Sequence, residues 1–193
     1  MAKRVFIVHG WDGSPEEGWF PWLKKELSAR SFTAKILAMP SPDEPVIKDW
    51  VSCLGNAVGR VDDLTYFVGH SIGCQAIMRY LAGINQDIYA RGVVFVGGWV
   101  VLNELATEEE KRIAKPWLTT KIDFWKVRQH ASRFSAIFSD NDKFVPLSNK
   151  DIFERELNSK IKIEHNKGHF SGSDGVAELP SVLEEVVQMQ FME

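Results

Sequence analysis

The sequence predicts an α/β protein, a mostly parallel six-stranded sheet covered by helices on both faces. Three observations predict it. Six short runs rich in β-branched and aromatic residues recur along 193 residues, stretches of helical period separate them, and two of the runs are apolar without alternation. Parallel strands need crossovers of a dozen or more residues, so strand and helix in turn imply parallel pairing. Strands that are apolar at consecutive positions are buried on both faces.

The first strand is 5–8, Val5-Phe6-Ile7-Val8, an unbroken apolar run, and helical period follows over 16–30. A second strand at 33–37 leads to a helix over 45–58. The third strand, 64–68, runs into Gly69-His70-Ser71-Ile72-Gly73 and a helix over 72–84. The fourth, 92–96, is apolar throughout. The rhythm then breaks: the 33 residues 99–131 carry two helical patterns, 103–115 and 121–130, with Pro116-Trp117 between them. A connection longer than a crossover requires predicts a small cap on a single domain spanning 1–193. A strand at 134–138, a helix over 147–158, a strand at 161–164 and a terminal helix over 177–190 complete the chain.

Composition bounds the function. A chain with 45% hydrophobic and 11% aromatic residues can bury a sufficient core without disulfides or a structural metal. The 23 Lys and Arg against 26 Asp and Glu leave no concentrated positive charge for nucleic acid. No apolar run approaches the roughly 18 residues of a membrane span, and Met1-Ala2-Lys3-Arg4 leads into too short a run for a signal peptide. Cys53 and Cys74 form neither a metal spacing nor a disulfide framework. The expectation is a cytoplasmic protein without cofactor, metal or membrane contact.

Gly69-His70-Ser71-Ile72-Gly73 places G-x-S-x-G between a strand and a helix. In such an elbow the flanking positions must be small because backbone and helix approach closely, and the turn lifts the hydroxyl out at the carboxyl end of the strand. The helix N-terminus then faces an incoming oxyanion. The competing reading is a glycine-bounded turn with a capping serine.

A serine hydroxyl needs a base, and the base an orienting carboxylate, in chain order Ser, Asp, His. The chain supplies Ser139-Asp140-Asn141-Asp142 after the fifth strand and Gly168-His169-Phe170 after the sixth. Alone, the acidic loop reads equally as a helix cap and the histidine as a loop residue. Three partners in order, each beyond its own strand, make coincidence a poor explanation. The first strand ends in His9-Gly10-Trp11, where Gly10 permits close backbone approach and the Trp11 N–H can share an oxyanion with the Ile72 N–H. Phosphate-binding glycine motifs are absent.

These residues, with Trp19-Phe20-Pro21-Trp22-Leu23, Met39-Pro40, Pro116-Trp117 and Val145-Pro146, resemble the small α/β-hydrolases of the retinoblastoma-binding-protein-nine and YdeN type over nearly the whole chain. The resemblance implies the three-layer α/β-hydrolase fold with strand order 2-1-3-4-5-6. It also implies a serine hydrolase with the triad Ser71, Asp142 and His169, the acid loop spacing favouring Asp142 over Asp140. The expected substrate is a small carboxylic ester, or a thioester or amide, cleaved through an acyl-enzyme. A protein-binding module that keeps this fold with little turnover is the alternative, and its protein partners are unknown.

His9 and His70 read as locally packed or hydrogen-bonded. His165 and His169 are four apart but not on a helix, so they make no metal site. Of seven tryptophans, Trp11, Trp19, Trp22, Trp99 and Trp117 fall on segments expected near the site edge. Trp19 and Trp117 are the expected substrate-binding pair, while Trp22 and Trp99 read equally as core.

Overall fold

The computed structural model describes residues 2–85, 87–103 and 105–191. Among them the chain forms β1 (Lys3–Val8), α1 (Phe20–Ser28), β2 (Phe32–Leu37), α2 (Ile47–Val58), β3 (Thr65–His70), α3 (Ile72–Ala82) and β4 (Gly92–Val96). It continues with α4 (Glu108–Thr119), α5 (Phe124–Gln129), β5 (Phe134–Ser139), α6 (Asn149–Leu157), β6 (Lys160–Glu164) and α7 (Pro180–Met189). The sheet order is β2-β1-β3-β4-β5-β6, and every neighbouring pair is parallel. The order reverses between β1 and β3, where the chain leaves β1 toward one edge and returns to build toward the other. In open parallel sheets this switch point opens a crevice at the carboxyl ends of the strands.

Side-chain alternation divides the core. Val5 and Ile7 of β1 join Tyr66 and Val68 of β3 on the face covered by α1 and α7, with Leu23, Leu27, Val182 and Val186 buried against them. Phe6 and Val8 join Phe67 and Phe95 on the opposite face, under α2, α3 and α6 with Trp50, Leu54, Ile77 and Phe153. Each such side chain contributes about 1.5–3 kcal/mol on full burial. Two apolar faces explain the unbroken runs at 5–8 and 92–96.

Element ends differ from the periodicity for local reasons. α1 starts at Phe20 rather than residue 16, with Pro21 in its first turn, and α7 starts at Pro180 rather than 177. α4 begins at Glu108 rather than 103 because Thr107 and Glu110 form a reciprocal capping box; position 104 lies outside the described residues. Pro116-Trp117 does not separate two helices but lies inside the last turn of α4. There Trp117 is buried, donates from Nε1 to the Pro45 carbonyl at 2.9 Å and meets Trp50 edge-on at 6.0 Å. That anchorage offsets the helical hydrogen bond a proline cannot donate. Among the described residues no helix is long and apolar enough to cross a membrane.

Candidate active site

The turn after β3 is built by sterics. Ser71 sits at φ 53° and ψ −123°, a strained conformation for a residue with a Cβ. Its N–H donates to the Val96 carbonyl at 2.9 Å and its carbonyl accepts from the Cys74 N–H at 3.0 Å. A Cβ at Gly69 would lie 2.9 Å from the Cys74 backbone, and one at Gly73 would lie 2.5 Å from the Val8 carbonyl oxygen. The start of α3 is thus pressed against the end of β1, which only glycine permits.

Ser71 Oγ lies 2.8 Å from His169 Nε2, and His169 Nδ1 lies 2.7 Å from Asp142 Oδ2. A carboxylate only accepts, so Nδ1 carries the proton and the bare Nε2 accepts from the hydroxyl. The Asp142 side chain is 2% exposed, and its Oδ1 accepts the Phe144 and Val145 N–H groups at 2.9 and 3.0 Å. Asp140 points elsewhere: its carboxylate takes His165 Nδ1 at 2.6 Å and the Asn166 N–H at 2.9 Å. Ser139 and Asn141 accept from the Lys167 and Gly168 N–H groups. Four consecutive side chains of the acid loop therefore dock the segment that carries His169.

Two further residues hold the His169 backbone, and neither was expected to. Asp174 Oδ2 accepts the His169 N–H at 2.8 Å, and His70 Nε2–H donates to the His169 carbonyl at 2.7 Å. Asp174 belongs to a second capping box with Ser171, so the Ser171-x-x-Asp174 spacing was the available sequence signal. Burial tends to raise its carboxyl pKa, but hydrogen bonds from Ser171 and from backbone N–H groups outweigh that and hold it below the usual range. His9 donates from Nδ1 to the Gly10 carbonyl and accepts the Met39 N–H at Nε2, as a neutral ring. Burial lowers its pKa, partly opposed by the Gly10 bond and nearby Glu17.

Burial, and then the neighbouring His169, lower the His70 pKa to about 3. An unfolded histidine titrates near 6.5, so between about pH 6.5 and 3 the unfolded chain holds a proton that the native chain does not. Stability from this group is complete above that window and falls as pH falls through it, by about 1.4 kcal/mol per unit. Moving from pH 7.5 to 5 should cost about 2 kcal/mol through His70. In His70→Gln, which keeps a donor for the His169 carbonyl, urea midpoints should depend less on pH; an unchanged dependence would reject this origin.

Ser71 and His169 open into a cleft of about 430 Å³ that Trp11, Ile72, Trp99, Leu102, Leu105 and Phe144 help to line. Among the described residues, no group accepts a hydrogen bond from the Trp11 or Ile72 N–H. Trp19 and Trp117 do not line the cleft. Trp19 is buried beneath it, donating from Nε1 to the Phe170 carbonyl at 3.0 Å, and Trp117 is packed on α2. Both indole N–H groups are satisfied by backbone carbonyls, as buried tryptophans require. Trp99, Leu102, Leu105 and Glu110 border the cleft, whereas Trp125 is exposed on α5 away from it. His165 is bonded to Asp140, and among the described residues no group of three or more His, Cys, Asp and Glu side chains is placed to hold a metal.

A parallel sheet of this order with a serine elbow at the switch point defines an α/β-hydrolase. A family model described as serine hydrolase matches residues 5–188. The protein YdeN of Bacillus subtilis (strain 168) is 33% identical over 183 residues, covering 94% of this chain and 93% of that protein. Its crystal structure superposes with a TM-score of 0.89 at 29% identity, over 98% of this chain and all of that one. The serine hydrolase RBBP9 of Rattus norvegicus is 24% identical over 177 residues, 89% of each chain. Est1E from Butyrivibrio proteoclasticus shares the fold, with a TM-score of 0.75 at 16% identity over 99% of this chain and 89% of that one. The chain belongs to the serine hydrolase family and is an enzyme of that class.

Proposed function

We propose that this serine hydrolase cleaves small carboxylic esters, with thioesters and amides as chemically related substrates, through an acyl-enzyme on Ser71. The observation that carries the reading is the unbroken relay of 2.8 and 2.7 Å from Ser71 through His169 to Asp142. Ser71 Oγ attacks the ester carbonyl while His169 Nε2 takes the hydroxyl proton. The tetrahedral oxyanion is held by the Trp11 and Ile72 N–H groups, whose lack of another acceptor supports this role. Collapse breaks the bond to the alcohol, which leaves with the proton from His169. Water then attacks the acyl carbon by the same route, giving the acid and restoring the serine. Asp142 holds the Nδ1–H throughout, orienting the neutral imidazole and stabilising the imidazolium that forms when Nε2 takes a proton.

No cofactor takes part in this scheme. Trp99, Leu102, Leu105 and Glu110 serve as the cleft rim, the part of the 99–131 segment that acts as a cap on the single domain. A cytoplasmic site of action fits the two free cysteines, of which Cys74 is buried with its thiol pKa pushed up by burial.

A fluorophosphonate should add once per chain, at Ser71, with loss of activity toward p-nitrophenyl acetate, because only an activated serine attacks phosphorus at a useful rate. A chain that stays unlabelled and turns over no ester would instead fit a binding module on this fold.

A further inference from the structure

The cleft is a ligand site on grounds unrelated to its charge, since the serine, its base and two unpaired N–H groups open into it. Its charge is one-sided. Asp12, Glu17, Asp43 and Glu110 line it, and among the described residues no lysine or arginine does. None of the four is in an ion pair among the described residues. They arrive from three separate segments whose backbones are tied down, and the Glu110 carboxylate is itself hydrogen-bonded. Asp12 and Glu17 lie between β1 and α1, where the Asp12 N–H donates to the Pro42 carbonyl and the Glu17 carboxylate packs against Gly13. Asp43 lies between β2 and α2, and its carbonyl accepts Trp11 Nε1 at 2.8 Å, which sets the indole beside it. Glu110, in the first turn of α4, is oriented by the Thr107 N–H at 2.9 Å.

We infer that the substrates are cationic: esters that carry an ammonium or similar group, with anionic esters rejected. The inference rests on the hydrolase reading above and adds the substrate's charge to it. Four carboxylates around a cleft of about 430 Å³ lie within a Debye length, about 8–10 Å at physiological salt, of any ligand inside it. A cleft lined by one sign of charge focuses its field and raises the local concentration of the opposite ion. Trp11, which also lines the cleft, suits the same ligand, since an aromatic ring attracts a cation through its face.

Three thioesters of one acyl chain test this: butyrylthiocholine, its neutral 3,3-dimethylbutyl analogue and an anionic 3-sulfopropyl analogue, followed by thiol release. The expected order of kcat/KM is cation, neutral, anion, with about tenfold or more between the extremes at low salt. The ratio should shrink in 0.5 M salt and fall several-fold in the double variant Glu17→Gln, Glu110→Gln. Ratios within twofold of unity, or a reversed order, would overturn the inference. Binding of the same three compounds to Ser71→Ala, read from indole N–H resonances, reports the preference without turnover. Absence of turnover with a cation preference in binding would sink the ester-hydrolase reading alone, and equal binding would sink the charge inference.

Discussion

Ser71→Ala is expected to lower kcat on an activated ester by about 10⁶-fold, the loss seen when the nucleophile of a serine–histidine–aspartate triad is removed. The fold should not share in that loss. Alanine keeps the Cβ, so it occupies the same conformation at φ 53° with the same strain, and the Ser71 backbone bonds to Val96 and Cys74 remain. Only the bond to His169 Nε2 disappears. Melting temperatures should therefore agree within about 2 °C, a stability difference of no more than about 0.5–1 kcal/mol. Residual catalysis above water should persist, because the oxyanion site proposed at the Trp11 and Ile72 N–H groups is left unchanged. Turnover of the alanine variant within tenfold of the parent would remove Ser71 from the chemistry.

The second large effect separates two neighbouring carboxylates. Asp142→Asn should lower kcat by about 10⁴-fold, since an asparagine that presents its N–H₂ to Nδ1 stabilises the wrong imidazole tautomer while preserving shape. Its Oδ1 can still accept from the Phe144 and Val145 N–H groups, so the loop should hold. Asp140→Asn loses the charge opposite His165 but keeps an acceptor for the Asn166 N–H. That pair is exposed, and exposed ion pairs contribute about 0–1 kcal/mol, so kcat should stay within about threefold. Steady-state kinetics on one ester reads both variants, and a larger loss in Asp140→Asn would transfer the orienting role to it.

The sequence by itself determined the α/β class, the alternation of elements, and where each chemical group enters. Gly69 and Gly73 announce their turn because a Cβ there would collide with Cys74 and with Val8, a local constraint written into residue identity. Periodicity was less informative at element ends, where the fixed φ and missing N–H of Pro21 and Pro180 and the hydrogen-bonded Thr107–Glu110 cap override it. The tryptophans mark the limit of that reading. The segments that carry Trp19 and Trp117 were expected near the site edge, yet an indole is equally suited to a wall and a core, and both found carbonyl partners below the surface. The acid-loop spacing had already favoured Asp142 over Asp140, whereas only the tertiary structure decided which aromatic residues line the cleft and that His70 and Asp174 clamp the His169 backbone. It also gathered Asp12, Glu17, Asp43 and Glu110, spread over 99 positions, into one cleft. The physical reason is range. Turns, caps and strand alternation are set by neighbours a few residues apart, whereas a side chain's partner across the sheet depends on how two loops meet after the core has closed.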